Sequence, residues 1–320
     1  MAKKRKEKGP TPRALQARPP RAPKRNWFLV TLLALSGAVI ALTALAFMRG
    51  GDQGGGSAVS DLLAPRDPGP VHVHGLGINP ADKALFIATH TGTYRVPADS
   101  EQAIRAGDSL QDTMGFTIVG PNRFLGSGHP DPQAMREQGL PPNLGLIEST
   151  DAGRTWKTIS LLGQADFHVL RSSLSRVYGF DSTNGRLLVS GDKGRTWSQR
   201  PIPGGLIDLA VDPQTPSHVV AVTERGLFTS TDDARSWRPL AGNVGLLAWP
   251  ARSRLLLVDG AGQVHTSRDS GRHWSVTGDI AGQPAAFLAQ SAQEIYVALH
   301  DGTVKRSADG GRSWEVRSAP

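Results

Sequence analysis

One eight-residue motif recurs five times in this 320-residue chain, and its spacing limits what the chain can fold into. The copies are STDAGRTW (Ser149–Trp156), SGDKGRTW (Ser190–Trp197), STDDARSW (Ser230–Trp237), SRDSGRHW (Ser267–Trp274) and SADGGRSW (Ser307–Trp314). Their aspartates, Asp151, Asp192, Asp232, Asp269 and Asp309, are spaced at intervals of 41, 40, 37 and 40 residues. Five of the seven tryptophans belong to these copies, which makes chance recurrence untenable. Such a period marks a chain assembled from stacked copies of one supersecondary unit.

The residue types suit a tight hairpin turn. The Asp carboxylate can accept backbone N–H groups, Gly supplies a positive φ, and Trp covers the turn while packing inward. The octets are therefore read as structural, with no chemistry assigned to them. Ala234 replaces the glycine in the third copy and His273 the hydroxyl residue in the fourth, so less regular turns are expected there.

Short β-type runs separate the octets: LIDLAVD, HVVAVTE and GLFTST before the third, WRPL after it. Four strands per repeat make a propeller blade. VHVHGLGINP, ALFIATH and GTYRV form a first blade without an octet. GFTIVG, RFLGSG and LGLIEST, with the first octet, form a second. The expected fold is an all-β, six-bladed β-propeller over 71–320, with blades starting near residues 71, 114, 166, 205, 244 and 284. Dividing that length by a period of about 40 favours six blades over seven.

The formal charge of +8 does not belong to this domain. Residues 1–26 contain ten Lys or Arg and one acid, so the remainder is close to neutral, and a basic nucleic-acid-binding surface is excluded. From Trp27 to Phe47 run twenty-one residues without a charge, about 31 Å if helical, which matches a bilayer core. The positive flank keeps 1–26 in the cytoplasm and exports the chain beyond residue 48. The expected protein is thus a single-pass membrane protein: cytoplasmic tail 1–26, transmembrane helix 27–47, Gly/Pro-rich linker 48–70 and extracytoplasmic propeller. The alternative for 27–47 is a signal peptide cleaved after Ala44-Leu45-Ala46. With no cysteine, the chain has no disulfide, thiolate zinc site, iron–sulfur cluster or cysteine nucleophile.

In a propeller the innermost strand of each blade starts on the same face as the turn between its second and third strands. Ligands bind there, at the channel mouth, and the octets fall on the opposite face. Strand starts give His72 and His74, Asp112 and Met114, Asp166 and His168, and Asp208. The turns give His90, His129 with Asp131, Asp181, Glu224, Asp259, and His300 with Asp301. His74, His90, His129 and His168 are the candidate metal ligands, expected to line one pocket with Asp112 and Asp166. Histidine with carboxylate or Met is a donor set for a divalent or copper ion. Taken singly, each histidine also fits a structural hydrogen-bonding role.

The octet resembles the Asp-box, or BNR, motif of sialidases, sortilin-type receptors and several glycoside hydrolases. Further segments, HVHGLGINP, FIATHTG, DTMGF, SGHPDP, GLIESTDAGRTW, ADFHVL and VYGFD, are similar to a family of exported bacterial Asp-box proteins called glycosylhydrolases. The likeness is strong over residues 71–200 and weaker beyond. It implies a propeller and, as one option, a glycan ligand. A sialidase would need a Tyr nucleophile and a Phe/Tyr-Arg-Ile-Pro arginine. Tyr94-Arg95-Val96-Pro97 approaches that wording but falls in the third strand of the first blade. Tyr94, Tyr178 and Tyr296 all lie inside expected strands, so sialidase activity is not expected. Another glycoside hydrolase would draw its carboxylates from Asp112, Asp166 and Asp208. The competing class in the same superfamily is a protein-binding or assembly module, as in sorting receptors and a photosystem-assembly factor. That role needs a shaped face and no acid/base pair.

Overall fold

The computed structural model describes residues 67 and 69–320. The expected tail, the hydrophobic segment 27–47 and most of the linker lie outside the described residues. Among those described, no helix is long and apolar enough to cross a membrane.

The described residues form six four-stranded antiparallel sheets, each taken from consecutive sequence. The first is β1–β4 (Val73–Ile78, Leu85–Thr89, Gly92–Val96, Ile104–Arg105) and the second β5–β8 (Asp112–Gly120, Arg123–His129, Leu146–Ser149, Lys157–Ser160). The third is β9–β12 (Phe167–Ser173, Arg176–Asp181, Arg186–Ser190, Ser198–Arg200) and the fourth β13–β16 (Leu206–Val211, Val219–Thr223, Gly226–Ser230, Arg238–Leu240). The fifth is β17–β20 (Gly245–Ala251, Arg254–Asp259, Gln263–Ser267, Ser275–Asp279) and the sixth β21–β24 (Pro284–Ala289, Ile295–Leu299, Val304–Ser307, Glu315–Ser318). The first strand of each sheet packs against the first strands of its two neighbours, and β21 returns to β1. The described residues form an all-β, six-bladed propeller.

Its core is divided among the blade interfaces. Second strands such as LFIAT, VVAVT and IYVAL are buried along their whole length, because both faces of the sheet meet another blade. This is why they read as unbroken apolar runs rather than as alternating ones. Outer strands are short and carry exposed residues such as Lys157, Arg238 and Glu315, which discourages edge pairing. Six apolar clusters fill the six interfaces. Trp156, Trp197, Trp237, Trp274 and Trp314 each cover one, between their own blade and the preceding one. The sixth interface, between the last blade and the first, has no octet tryptophan. There Arg317 Nη2 donates to the Pro97 carbonyl at 2.6 Å and Ser318 Oγ to the Glu101 carbonyl at 2.8 Å.

The octets make one repeated bonding pattern. In the second copy, Ser190 Oγ donates to Asp192 Oδ1 and accepts the Gly194 N–H, both at 2.8 Å. Asp192 then accepts Thr196 N–H at 2.9 Å and Thr196 Oγ1–H at 2.6 Å. Two consecutive residues, Lys193 and Gly194, take positive φ. The two substituted copies keep this pattern, contrary to the sequence expectation. Ala234 adopts φ 61° and its N–H still reaches Ser230 Oγ at 3.0 Å, a single methyl being the least obstruction a side chain can offer there. His273 Nδ1 stands 2.6 Å from Asp269 Oδ2, where the other copies place a hydroxyl.

Candidate functional site

Antiparallel pairing sets the start of each innermost strand beside the end of its second strand. In the second blade this pairs Asp112 directly with His129. The adjoining blades are brought in by close backbone contact. A Cβ on Gly75 would lie 2.9 Å from Phe116 Cβ, and one on Gly115 would lie 2.3 Å from the Phe167 carbonyl oxygen. Phe167 N–H also donates to Ser127 Oγ at 2.9 Å, which locks the entry of β9 against β6.

Two groups of three donors result, each with its ligand atoms within 4.8 Å of one another: His74, His90 and Asp112, then His129, Asp166 and His168. In the first, His90 Nδ1 lies 2.9 Å from Asp112 Oδ2 and His74 Nε2 lies 3.8 Å from Asp112 Oδ1. In the second, His168 Nε2 donates to Asp166 Oδ2 at 2.8 Å, and His129 Nε2 stands 3.7 Å from the same oxygen. All four histidines and the two aspartates expected at the mouth are thus gathered, as two adjoining groups rather than one ring of ligands. Asp112 and His129, being cross-strand partners, join them.

The polar atoms of these groups are incompletely satisfied. His74 Nε2, Asp112 Oδ1 and Asp166 Oδ1 are buried and have no hydrogen-bond partner. His129 Nδ1 lies 2.9 Å from the Pro142 carbonyl, which only accepts, so the ring proton sits on Nδ1. The Nε2 lone pair therefore faces the Asp166 carboxylate. The gaps of 3.7 Å from His129 Nε2 to Asp166 Oδ2 and 3.8 Å from His74 Nε2 to Asp112 Oδ1 are too long for hydrogen bonds. Two ligands held at about 2.1 Å on a tetrahedral ion stand about 3.4 Å apart, so a small cation fits these gaps with little movement. Burial, and then the nearby His90, His168, His72 and His129, hold the His74 imidazole well below its usual pKa.

Other His–Asp and Arg–Asp pairs lack this deficit. Asp259 accepts from His265, Asn243, Ala261 N–H and Gln263 N–H. Asp181 accepts from Asn184, Arg186 and the Asp166 N–H. Asp208, a candidate catalytic carboxylate with Asp112 and Asp166, is buried at 2% exposure with both oxygens engaged. Arg171 Nη2 reaches Oδ1 at 2.6 Å, and the Leu209 and Leu247 N–H groups bind at 2.7 and 2.8 Å. Burial pushes its carboxyl up despite the Arg171 guanidinium. His72, Glu224, His300 and Asp301 are exposed at the rim, outside both groups. Asp131 instead caps a short helix, α1 (Pro132–Gln138), accepting Gln133 N–H and Ala134 N–H. That helix lies within the β6–β7 connection that carries Pro142 to His129.

Tyr94, Tyr178 and Tyr296 are buried in β3, β10 and β22. Burial, with the partners Asp67 and Glu294, pushes the Tyr94 and Tyr296 phenols up to about 12, and Tyr178 is raised likewise beside Asp233. These are the opposite of activated nucleophiles.

A pattern invisible in the sequence sits behind the two groups. In five blades the innermost strand carries one residue with no counterpart on the second strand, close to its mouth end. These extra residues are His74, Met114, His168, Ile207 and Ala285; the fifth blade pairs regularly at that point. A bulge of this kind re-aims its side chain relative to the regular pleat. In the first three blades the re-aimed residue is His, Met and His.

No protein-family profile and no curated protein matches this chain. Solved structures do. A GH74 enzyme from Niastella koreensis aligns with a TM-score of 0.57 at 16% identity, over 78% of this chain and 45% of that one. The GH74 xyloglucanase from Xanthomonas campestris gives 0.50 at 18% identity, over 78% and 45%. YCF48 bound to D1 peptide gives 0.49 at 15% identity, over 78% and 82%. What is shared with the two GH74 enzymes is the propeller fold. The chain spans less than half the length of the two enzymes.

Proposed function

We propose that the protein is a membrane-anchored, extracytoplasmic propeller whose channel mouth binds a transition-metal ion through His74, His90 and Asp112 and through His129, Asp166 and His168. The observation that carries this reading is the pair of buried, unpartnered atoms His74 Nε2 and Asp112 Oδ1 facing each other across 3.8 Å, with a third such atom, Asp166 Oδ1, in the neighbouring group. Each group supplies three protein donors. His129 and His168 are more than a third exposed, so an ion there keeps a position open for water or for a carboxylate or hydroxyl of a peptide or glycan. The His129 Nδ1–H bond to Pro142 fixes the ring orientation, as carbonyl partners of metal-bound imidazoles do.

Metal analysis of full-length protein purified in detergent tests the assignment. Stoichiometric retention of copper or zinc, lost on changing His74 and His168 together to Ala while the melting curve persists, is expected. A wild-type protein that retains neither metal would refute it. The anchor is tested separately by adding protease to intact cells, which should remove the propeller and leave the tail. A soluble form beginning near Phe47 would instead show signal-peptide cleavage.

A second reading is metal-assisted glycoside hydrolysis, favoured by Asp112 and Asp166 lying in neighbouring blades, each with a free oxygen. Turnover of a glycoside panel that vanishes in Asp112→Asn and Asp166→Asn would support it. Silence of the wild type across the panel would leave a binding module.

A further inference from the structure

Metal binding at the mouth leaves open which ion is taken, and the bulges bear on that choice. His74, Met114 and His168 are the unpaired extra residues of β1, β5 and β9. Because β5 packs between β1 and β9, Met114 stands in the ring between the two histidines. Its flanking partners are already ligand candidates. Asp112 is two residues before it on the same strand, and His129 pairs with Asp112 across β5–β6. By its place on β5, the partly buried Met114 stands between the strands that begin with the two donor groups. The equivalent bulge residues of the fourth and sixth blades, Ile207 and Ala285, bring no donor.

Chemistry then discriminates between ions. Zinc in proteins takes imidazole, thiolate and carboxylate ligands. A thioether is a soft, neutral donor that favours copper in its cuprous state, and imidazole suits copper as well. The chain has no cysteine to supply sulfur in any other form. We propose that Met114 is a soft ligand at the junction of the two His/Asp groups, and that the mouth takes cuprous copper in preference to zinc. This rests on the metal-binding reading and adds the class of ion.

The test uses full-length protein in detergent, titrated anaerobically with Cu(I) against a cuprous chelator and separately with Zn(II) against a zinc chelator. Changing Met114 to Leu preserves volume, so the blades should stay folded. The expected result is a loss of Cu(I) affinity of about tenfold or more, with Zn(II) affinity within about twofold of wild type. X-ray absorption of the wild-type Cu(I) form should show a sulfur neighbour that the variant lacks. That measurement needs no variant, so a folding failure in Met114→Leu does not blunt it. A wild-type spectrum with nitrogen and oxygen neighbours alone, or equal Cu(I) affinity in the folded variant, overturns the role of Met114 while leaving metal binding intact. A wild type that binds neither ion overturns both.

Discussion

Ser190 illustrates how much a single side chain carries in this fold. It is fully buried, and its oxygen serves Gly194 N–H while its proton goes to Asp192. Ser190→Ala leaves the buried Gly194 N–H without an acceptor, and a loss of about 1–3 kcal/mol is expected in urea unfolding. An unchanged midpoint would show that water replaces the hydroxyl. Asp208 differs from the two carboxylates of the proposed metal groups in having both oxygens bonded. Asp208→Ala strands Arg171 and two backbone N–H groups, so a destabilisation of about 3–5 kcal/mol is expected. Metal affinity in the folded fraction should be unchanged, and a loss of affinity there would return Asp208 to the site. From the sequence, Asp208 and Asp166 looked alike, since both begin an innermost strand. What separates them is Arg171, which reaches one carboxylate across a blade boundary. The Pro142 carbonyl on His129 was equally hidden, because it depends on how a connection folds back.

At the scale of elements, the octets make a pH-dependent set. Hydrogen bonds from Thr196, Ser236, His273 and Ser313 hold the carboxyls of Asp192, Asp232, Asp269 and Asp309 well below the usual range. Carboxyls depressed in the folded state stabilise it fully above their unfolded pKa of about 4, and that contribution is lost as pH falls toward the folded values. The melting temperature should therefore decline progressively below about pH 4. A flat profile down to about pH 2 would show that these exposed bonds contribute nothing. The strands and octet turns were legible because they obey periods of two and of about forty. The α1 helix was missed, although Asp131-Pro132 at its start and Gly139 at its end are its punctuation. The bulges had no signal in the sequence: an unpaired residue is defined by its neighbour strand, and a single strand's sequence does not contain it.

For the whole molecule, ring closure is the distinctive event. The interface between the last and first blades brings together segments more than 200 residues apart, and it lacks the tryptophan that seals the other five. Arg317 and Ser318 fasten it instead. Opening should begin there. Native-state hydrogen exchange should show β1–β4 and β21–β24 losing protection at lower denaturant than the third and fourth blades, with Arg317→Ala enlarging the difference. Uniform exchange across all six blades would contradict this. The number of blades was readable in the sequence, since it is set by length and period. The way the ring fastens was not, because Arg317 carries no mark distinguishing it from other surface arginines.

The bulged residues have a consequence for descent as well as for chemistry. A position outside the strand ladder can exchange its side chain without breaking a cross-strand pair, so folding restrains it through packing alone, as at Ile207 against the core between the fourth and fifth blades. Five of the six blades offer such a position on the same rim. The fold thus separates inheritance of shape from inheritance of specificity. Propellers that share this backbone can drift toward different ligands, one blade at a time, and overall likeness will be a poor guide to what each has come to hold.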